Sequence, residues 1–160
     1  MYFSSIFSKA GSNIAEYKNN KIYSCYFYEK KGKHRLKLKF LKKNNQINQC
    51  IILAISANAK INVCIDGKNI PIRGKSFRTI DLFEEEYGTE FILDVELIEG
   101  RIGICNGHEK QLGDKKIISY MSRGHAMLLK IINNKYIFTC NSAEGEDDFD
   151  DLEFELEILD

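Results

Sequence analysis

At 160 residues, with 44% hydrophobic and 29% charged residues, the chain has the size and composition of one folded domain and not of a disordered segment. Its longest apolar runs, such as Cys50 to Ile55, fall far below the ~20 residues that cross a bilayer, and the start Met1-Tyr2-Phe3-Ser4-Ser5-Ile6-Phe7 lacks the basic and apolar regions of a secretory signal. Net charge is zero but uneven: residues 1–76 carry 15 Lys/Arg against 3 Asp/Glu, and residues 77–160 carry 8 against 20.

Along the chain, residues 5–17 are the first candidate helix, followed by a candidate strand over 21–28. His34 to Phe40 then alternates cleanly, with Leu36, Leu38 and Phe40 on one face and Arg35, Lys37 and Lys39 on the other. Further strands are expected over 49–56, 60–65, 68–72 and 77–81, the second and third joined by an Asp66-Gly67 turn. Asp81-Leu82-Phe83-Glu84 has the form of a capping box, with Gly88 as the stop, so 82–87 is a short helix. Phe91, Leu93, Val95 and Leu97 face one way and Asp94 and Glu96 the other. A Glu99-Gly100 turn leads to a strand over 101–106 that Asn106-Gly107 closes. Strands at 115–121, 126–132 and 135–141 follow, the last two joined by Asn133-Asn134. The chain ends on Leu152, Phe154, Leu156 and Ile158 alternating with Glu153, Glu155 and Glu157. Period-two strands with one wet face and tight turns predict an all-β, antiparallel two-sheet sandwich of the jelly-roll kind. Residues 1–160 read as one domain, with 1–20 a loosely attached N-terminal segment.

The chemistry-bearing residues are sparse. Cys25, Cys50, Cys64, Cys105 and Cys140 form no C-x-x-C pair and sit in or beside strands, so they read as reduced core thiols of a cytoplasmic protein. Gly74-Lys75-Ser76 resembles the end of a phosphate-binding loop, but Asn69 stands where its first glycine is required. Cys105 and His108 flank a turn and His125 follows Gly124, yet sequence proximity does not assemble a nucleophile with its base. No catalytic residue is assigned. The acidic run Glu144-Gly145-Glu146-Asp147-Asp148-Phe149-Asp150-Asp151 is compatible with a solvated loop or with a calcium site formed by Asp147, Asp148, Asp150 and Asp151. The basic strand 35–39 and the acidic strand 153–157 would neutralise each other as neighbours in one sheet. Otherwise Lys37 and Lys39, with His108, Arg123 and His125, are the candidates for contact with a ligand or partner.

Asp148-Phe149-Asp150-Asp151-Leu152-Glu153-Phe154 resembles the segment before the last strand in lectin-like β-sandwich domains. Phe91 to Asn106 resembles a central hairpin of carbohydrate-binding jelly rolls. The resemblance implies a jelly-roll fold and a saccharide ligand. The expectation is a non-catalytic binding module that engages a saccharide or a protein through sandwich-end loops or one sheet face. The alternative is an assembly protein that self-associates through charged or edge strands. A pI near 6.8 disfavours nucleic acid, and no membrane contact or cofactor beyond calcium is expected.

Overall fold

The computed structural model describes residues 2–44, 46–55, 60–65, 68–72 and 78–159, with the backbone alone at 60–65, 68–72 and 78. Its elements are α1 (Phe3–Ala10), β1 (Ile14–Tyr17), β2 (Asn20–Tyr23), β3 (Tyr26–Tyr28), β4 (Gly32–Lys43), β5 (Gln49–Ile55), β6 (Lys60–Ile65), β7 (Lys68–Ile72), β8 (Arg78–Leu82), α2 (Glu84–Tyr87), β9 (Glu90–Glu99), β10 (Ile102–Leu112), β11 (Lys115–Tyr120), β12 (Ala126–Ile132), β13 (Lys135–Asn141) and β14 (Leu152–Ile158). They form the all-β two-sheet sandwich that the alternation predicts. One sheet runs β1-β2-β12-β13-β14-β4-β9-β6-β7, the other β11-β10-β5-β8, with β3 pairing the first residues of β10. The Asp66-Gly67 turn, the Gly74-Lys75-Ser76 segment and the Cys64 side chain lie outside the described residues.

The large sheet turns Leu36, Leu38, Phe40, Phe91, Leu93, Phe154 and Leu156 into the core, where Phe138 and Phe154 stack at 4.9 Å. On its other face the charges interlock. The basic strand β4 lies between two acidic neighbours: Lys37, Lys39 and Lys42 stand opposite Glu157, Glu155 and Glu153 of β14, and Lys39 and Arg35 stand opposite Glu90 and Asp94 of β9. Lys37 Nζ sits 3.5 Å from Glu157 and 3.3 Å from Glu90, and Arg35 Nε 3.2 Å from Asp94. A bulge beside Glu153/Phe154 leaves Leu41 without a partner and 40% exposed. It shifts the alternation so that Lys42, not Leu41, faces Glu153. Each such pair contributes about 0.2–1 kcal/mol. Slipping the register by one residue would set glutamates against leucines, so the ladder also selects the pairing.

Four expectations are corrected. The helix placed at 5–17 covers only Phe3–Ala10; Gly11 at φ 62° ends it, and Ile14–Tyr17 turns back as a strand through Lys18 and Asn19, both at positive φ. The strand at 21–28 breaks at Ser24-Cys25, sending β2 and β3 to different sheets. Asn106-Gly107 does not close a strand, because β10 continues through it to Leu112. Asp81 does not cap α2: it belongs to β8, and Phe83 holds the N-cap position without a side-chain bond.

Residues 3–17 are anchored to the sandwich rather than loosely attached. Phe3 and Phe7 pack with Ala15, Ile22 and Ala126 in a second small core, and the Phe3 ring meets Tyr17 at 5.2 Å and Phe149 at 5.6 Å. The Phe3 N–H, one of the helix's orphan donors, reaches Arg123 O at 2.8 Å. Phe3→Ala should cost about 3 kcal/mol and accelerate amide exchange across Phe3–Tyr17 while β4 and β14 stay protected. Unchanged exchange would show that the ring does not hold the helix.

Candidate functional site

Two features stand out beyond the core: a buried polar cluster at one end of the sandwich, and an open cleft beside α1. The cluster begins where β10 passes from apolar to polar residues. Asn106 is fully buried and donates to Asn141 O at 3.0 Å and Ser142 Oγ at 3.1 Å; Ser142 in turn donates to Gln49 Oε1 at 2.9 Å. These bonds tie the end of β13 to β5 and β10, joining the two sheets. Asp151 is 3% exposed, and its Oδ2 accepts the N–H groups of Ser142 at 2.7 Å and Ala143 at 3.2 Å. Asn141 Nδ2 donates to the carbonyls of Gly124, Ala143 and Glu146. The acidic loop is thus wound around its own buried amide and carboxylate. Gly124 fits here for lack of a side chain, since a Cβ would lie 2.4 Å from Ser142 O.

His108 and His125 meet at this cluster. His125 is 1% exposed, and its Nδ1 accepts the Ser122 N–H at 3.2 Å and lies 2.7 Å from Ser122 Oγ. A neutral ring with Nδ1 accepting carries its proton on Nε2, which donates to His108 Nδ1 at 2.9 Å. Burial, then His108 and Lys110, push the His125 pKa down to about 3. Burial, then Lys110, also lower His108, opposed by Asp151. The order Ser122, His125, His108 follows that of a nucleophile, base and orienting group. A sealed base with so low a pKa, already holding a backbone N–H, is suited to locking the 122–125 turn instead. Cys105 stands apart from His108: three residues along one strand, the two side chains leave opposite faces. The Cys105 thiol is pushed up by a hydrogen bond with the Cys25 thiol and by burial. Cys25, Cys50, Cys105 and Cys140 are all free and buried.

The remaining sequence candidates fall in separate places. Lys37 is spent on Glu90 and Glu157, and Lys39 lies half-buried between Glu90 and Glu155. Arg123 stacks its guanidinium 4.7 Å from the Tyr2 ring. Of the four aspartates, Asp147 pairs with Lys18 at 2.6 Å and with Tyr17 Oη at 2.7 Å, and Asp150 pairs with Lys42. Asp148 Oδ1 accepts the Asp150 N–H at 3.3 Å. The carboxylates that converge are instead Glu146, Asp148 and Asp151, one oxygen of each within 4.8 Å of the others. Lys18 of the β1–β2 turn and Lys42 of β4 divide the acidic run, and spacing alone does not reveal them.

The cleft, about 620 Å³, opens between α1 with its following loop and Ser24, Phe27 and Arg101. Ser4, Ser8, Ser12, Ser24, Asn13, Phe7 and Phe27 line it; Asn13 Nδ2 donates to Cys25 O at 2.8 Å and Ser12 Oγ accepts the Ile14 N–H at 3.1 Å. Arg101 lies 3.6 Å from the Phe27 ring centroid and 3.7 Å from Glu29. Sequence reading missed this site because it needs residues of α1, β3 and the β9–β10 turn together. Among the described residues, no helix is long and apolar enough to cross a membrane. No protein-family model, curated protein or solved structure matches the chain.

A histidine buried neutral binds its proton more readily in the unfolded chain. Its folded pKa is depressed, so the stability it allows is complete above the unfolded pKa of about 6.5 and falls as pH drops below it. For His125, at about 3 when folded, the loss between pH 7 and pH 5 is about 2 kcal/mol. Urea unfolding at the two pH values measures it, and His125→Asn should flatten the slope. Equal wild-type stabilities would refute the buried neutral pair.

Proposed function

We propose that this protein is a non-catalytic binding module that holds a polyhydroxylated ligand, a saccharide, in the cleft beside α1. The observation that carries the reading is the lining: Ser4, Ser8, Ser12, Ser24, Asn13 and Arg101 border a space of about 620 Å³. A hydroxyl both donates and accepts, as does each hydroxyl of a sugar, so the two surfaces satisfy each other in several registers. Phe7 and the edge of Phe27 offer apolar contact for C–H faces, giving the mix of apolar walls and few oriented polar groups typical of small-ligand sites. Arg101 supplies fixed donors and is held by Phe27, which limits the entropy lost on binding. The same carbohydrate-binding role is implied by the resemblance of Phe91 to Asn106 and Asp148 to Phe154 to lectin-like segments.

A glycan array followed by calorimetry tests the proposal. A saccharide should bind the wild-type chain, and Arg101→Ala and Ser8→Ala should each weaken it by about tenfold, the loss of one or two buried hydrogen bonds. No binder across the array, or a binder indifferent to both substitutions, would sink it.

A further inference from the structure

The β10–β11 hairpin reaches beyond the sandwich, and residues 110–117 are all exposed. Its turn is a two-residue one, Gly113-Asp114, with Gly113 at φ 60°, between Leu112 and its partner Lys115. Pairing continues through Ile117↔Lys110 and Ser119↔His108. In such a hairpin the closing pair and every second pair exchange backbone hydrogen bonds, so Lys115, Ile117 and Ser119 bond inward to β10. The N–H and C=O groups of Lys116 and Ile118 therefore point outward along the free edge of the sheet, where β11 is the last strand. No described backbone group meets them.

The side chains along this edge are not neutral. Lys110, Leu112, Lys115 and Ile117 share one face, a checkerboard of two cations and two aliphatic groups, with Leu112 59% and Ile117 39% exposed. Lys116 adds a third cation on the other face. In β4, by contrast, Lys37, Lys42 and Lys43 are answered by Glu90, Glu157, Asp150, Glu84 and Glu85. Lys110, Lys115 and Lys116 have no ion pair among the described residues.

We infer that the outer edge of β11 is a docking site for an extended acidic segment of a partner polypeptide, which adds to the sheet as a further strand. Backbone bonds from Lys116 and Ile118 would give the segment its register. Read antiparallel, residues opposite Ile118 and Ile117 are aliphatic and those opposite Lys116 and Lys115 are acidic, so the motif is two aliphatic residues followed by two carboxylates. Lysines on an edge deter pairing with basic or neutral strands and admit an acidic one, which gives selectivity by repulsion as well as attraction. The surface lies apart from the saccharide cleft, and neither proposal depends on the other.

Fluorescence polarisation with a short labelled peptide, its centre reading valine-valine-glutamate-glutamate, tests this on the full chain. The wild type should bind it and ignore the version ending in two lysines. Lys116→Pro removes an outward N–H while leaving the ladder to β10 intact, since proline is tolerated where an edge N–H faces solvent. It should weaken binding by at least about tenfold, with an unchanged melting curve. Lys115→Glu with Lys116→Glu should exchange the preference between the two peptides. Absence of binding would overturn the inference. So would binding that survives Lys116→Pro and vanishes in salt, since it would be charge attraction without a strand. Binding to phosphatidylserine vesicles, lost in Leu112→Asp, with no binding of the peptide, would assign the arm to a lipid surface instead.

Discussion

The placement of a basic strand between two acidic ones governs the large sheet. β4 comes from the first third of the chain, β9 from the middle and β14 from its end, so the contacts that build the centre of the sheet are all long-range. Hydrophobic alternation alone would let any of these strands pair with any other, since each presents leucines and phenylalanines every second residue. Charge breaks that degeneracy. Two acidic strands side by side would repel along their whole length, and β4 is the element that separates them. The opposed charges of the two halves of the chain are the sequence trace of this arrangement. Glu155 on the charged face is only 8% exposed, set between Lys39 of β4 and Ile137 of β13 with Lys135 Nζ 4.0 Å away.

The polar end of the sandwich depends on that sheet being in register. β14 begins at Leu152, and the residue before it, Asp151, delivers its carboxylate to the N–H groups of Ser142 and Ala143 just after β13. A shift in β14 would withdraw that carboxylate and release the loop 143–150. The cluster of Gln49, Asn106, Asn141 and Ser142 would then hold buried amides without partners, a penalty larger than the bonds are worth when made. Among the described residues, Gln49 Nε2 and Asn106 Oδ1 have no partner, the kind of pair that one buried water satisfies. Through Gly124 and His125 the same cluster fixes the 122–125 turn, and Arg123 O of that turn holds the first N–H of α1. The cleft is therefore linked to the charged sheet by a continuous path of packed and bonded groups.

Strands that are half-buried leave a period-two record, which is why 34–40, 91–97 and 152–158 were legible. The opposition of 35–39 and 153–157 was legible too, because complementary charge at matching spacing is a pairing signal. Residues 5–17 misled because a short apolar helix and a short hairpin share local composition; Gly11 and the left-handed Lys18-Asn19 turn decide between them. The split of 21–28 follows from tertiary demand, one half serving each sheet. The site was mostly hidden. His108 and His125 read as candidates for ligand or partner contact, and their contact with each other needs β10 and the 122–125 turn to meet. Asn106 inside an apolar strand and Asn141 at the end of another were the available signals, polar residues where the pattern calls for core.

Reversal of the acidic strand tests the ladder most directly. Glu153, Glu155 and Glu157 replaced together by glutamine lose attraction but keep shape; replaced by lysine, they set like charges against β4. Urea unfolding at low and high salt should find the lysine variant less stable than the glutamine variant by more than about 2 kcal/mol at low salt, with the gap narrowing as salt screens the repulsion. Equal stability of the two variants at low salt would contradict the account, leaving the order of the sheet to hydrophobic pairing alone.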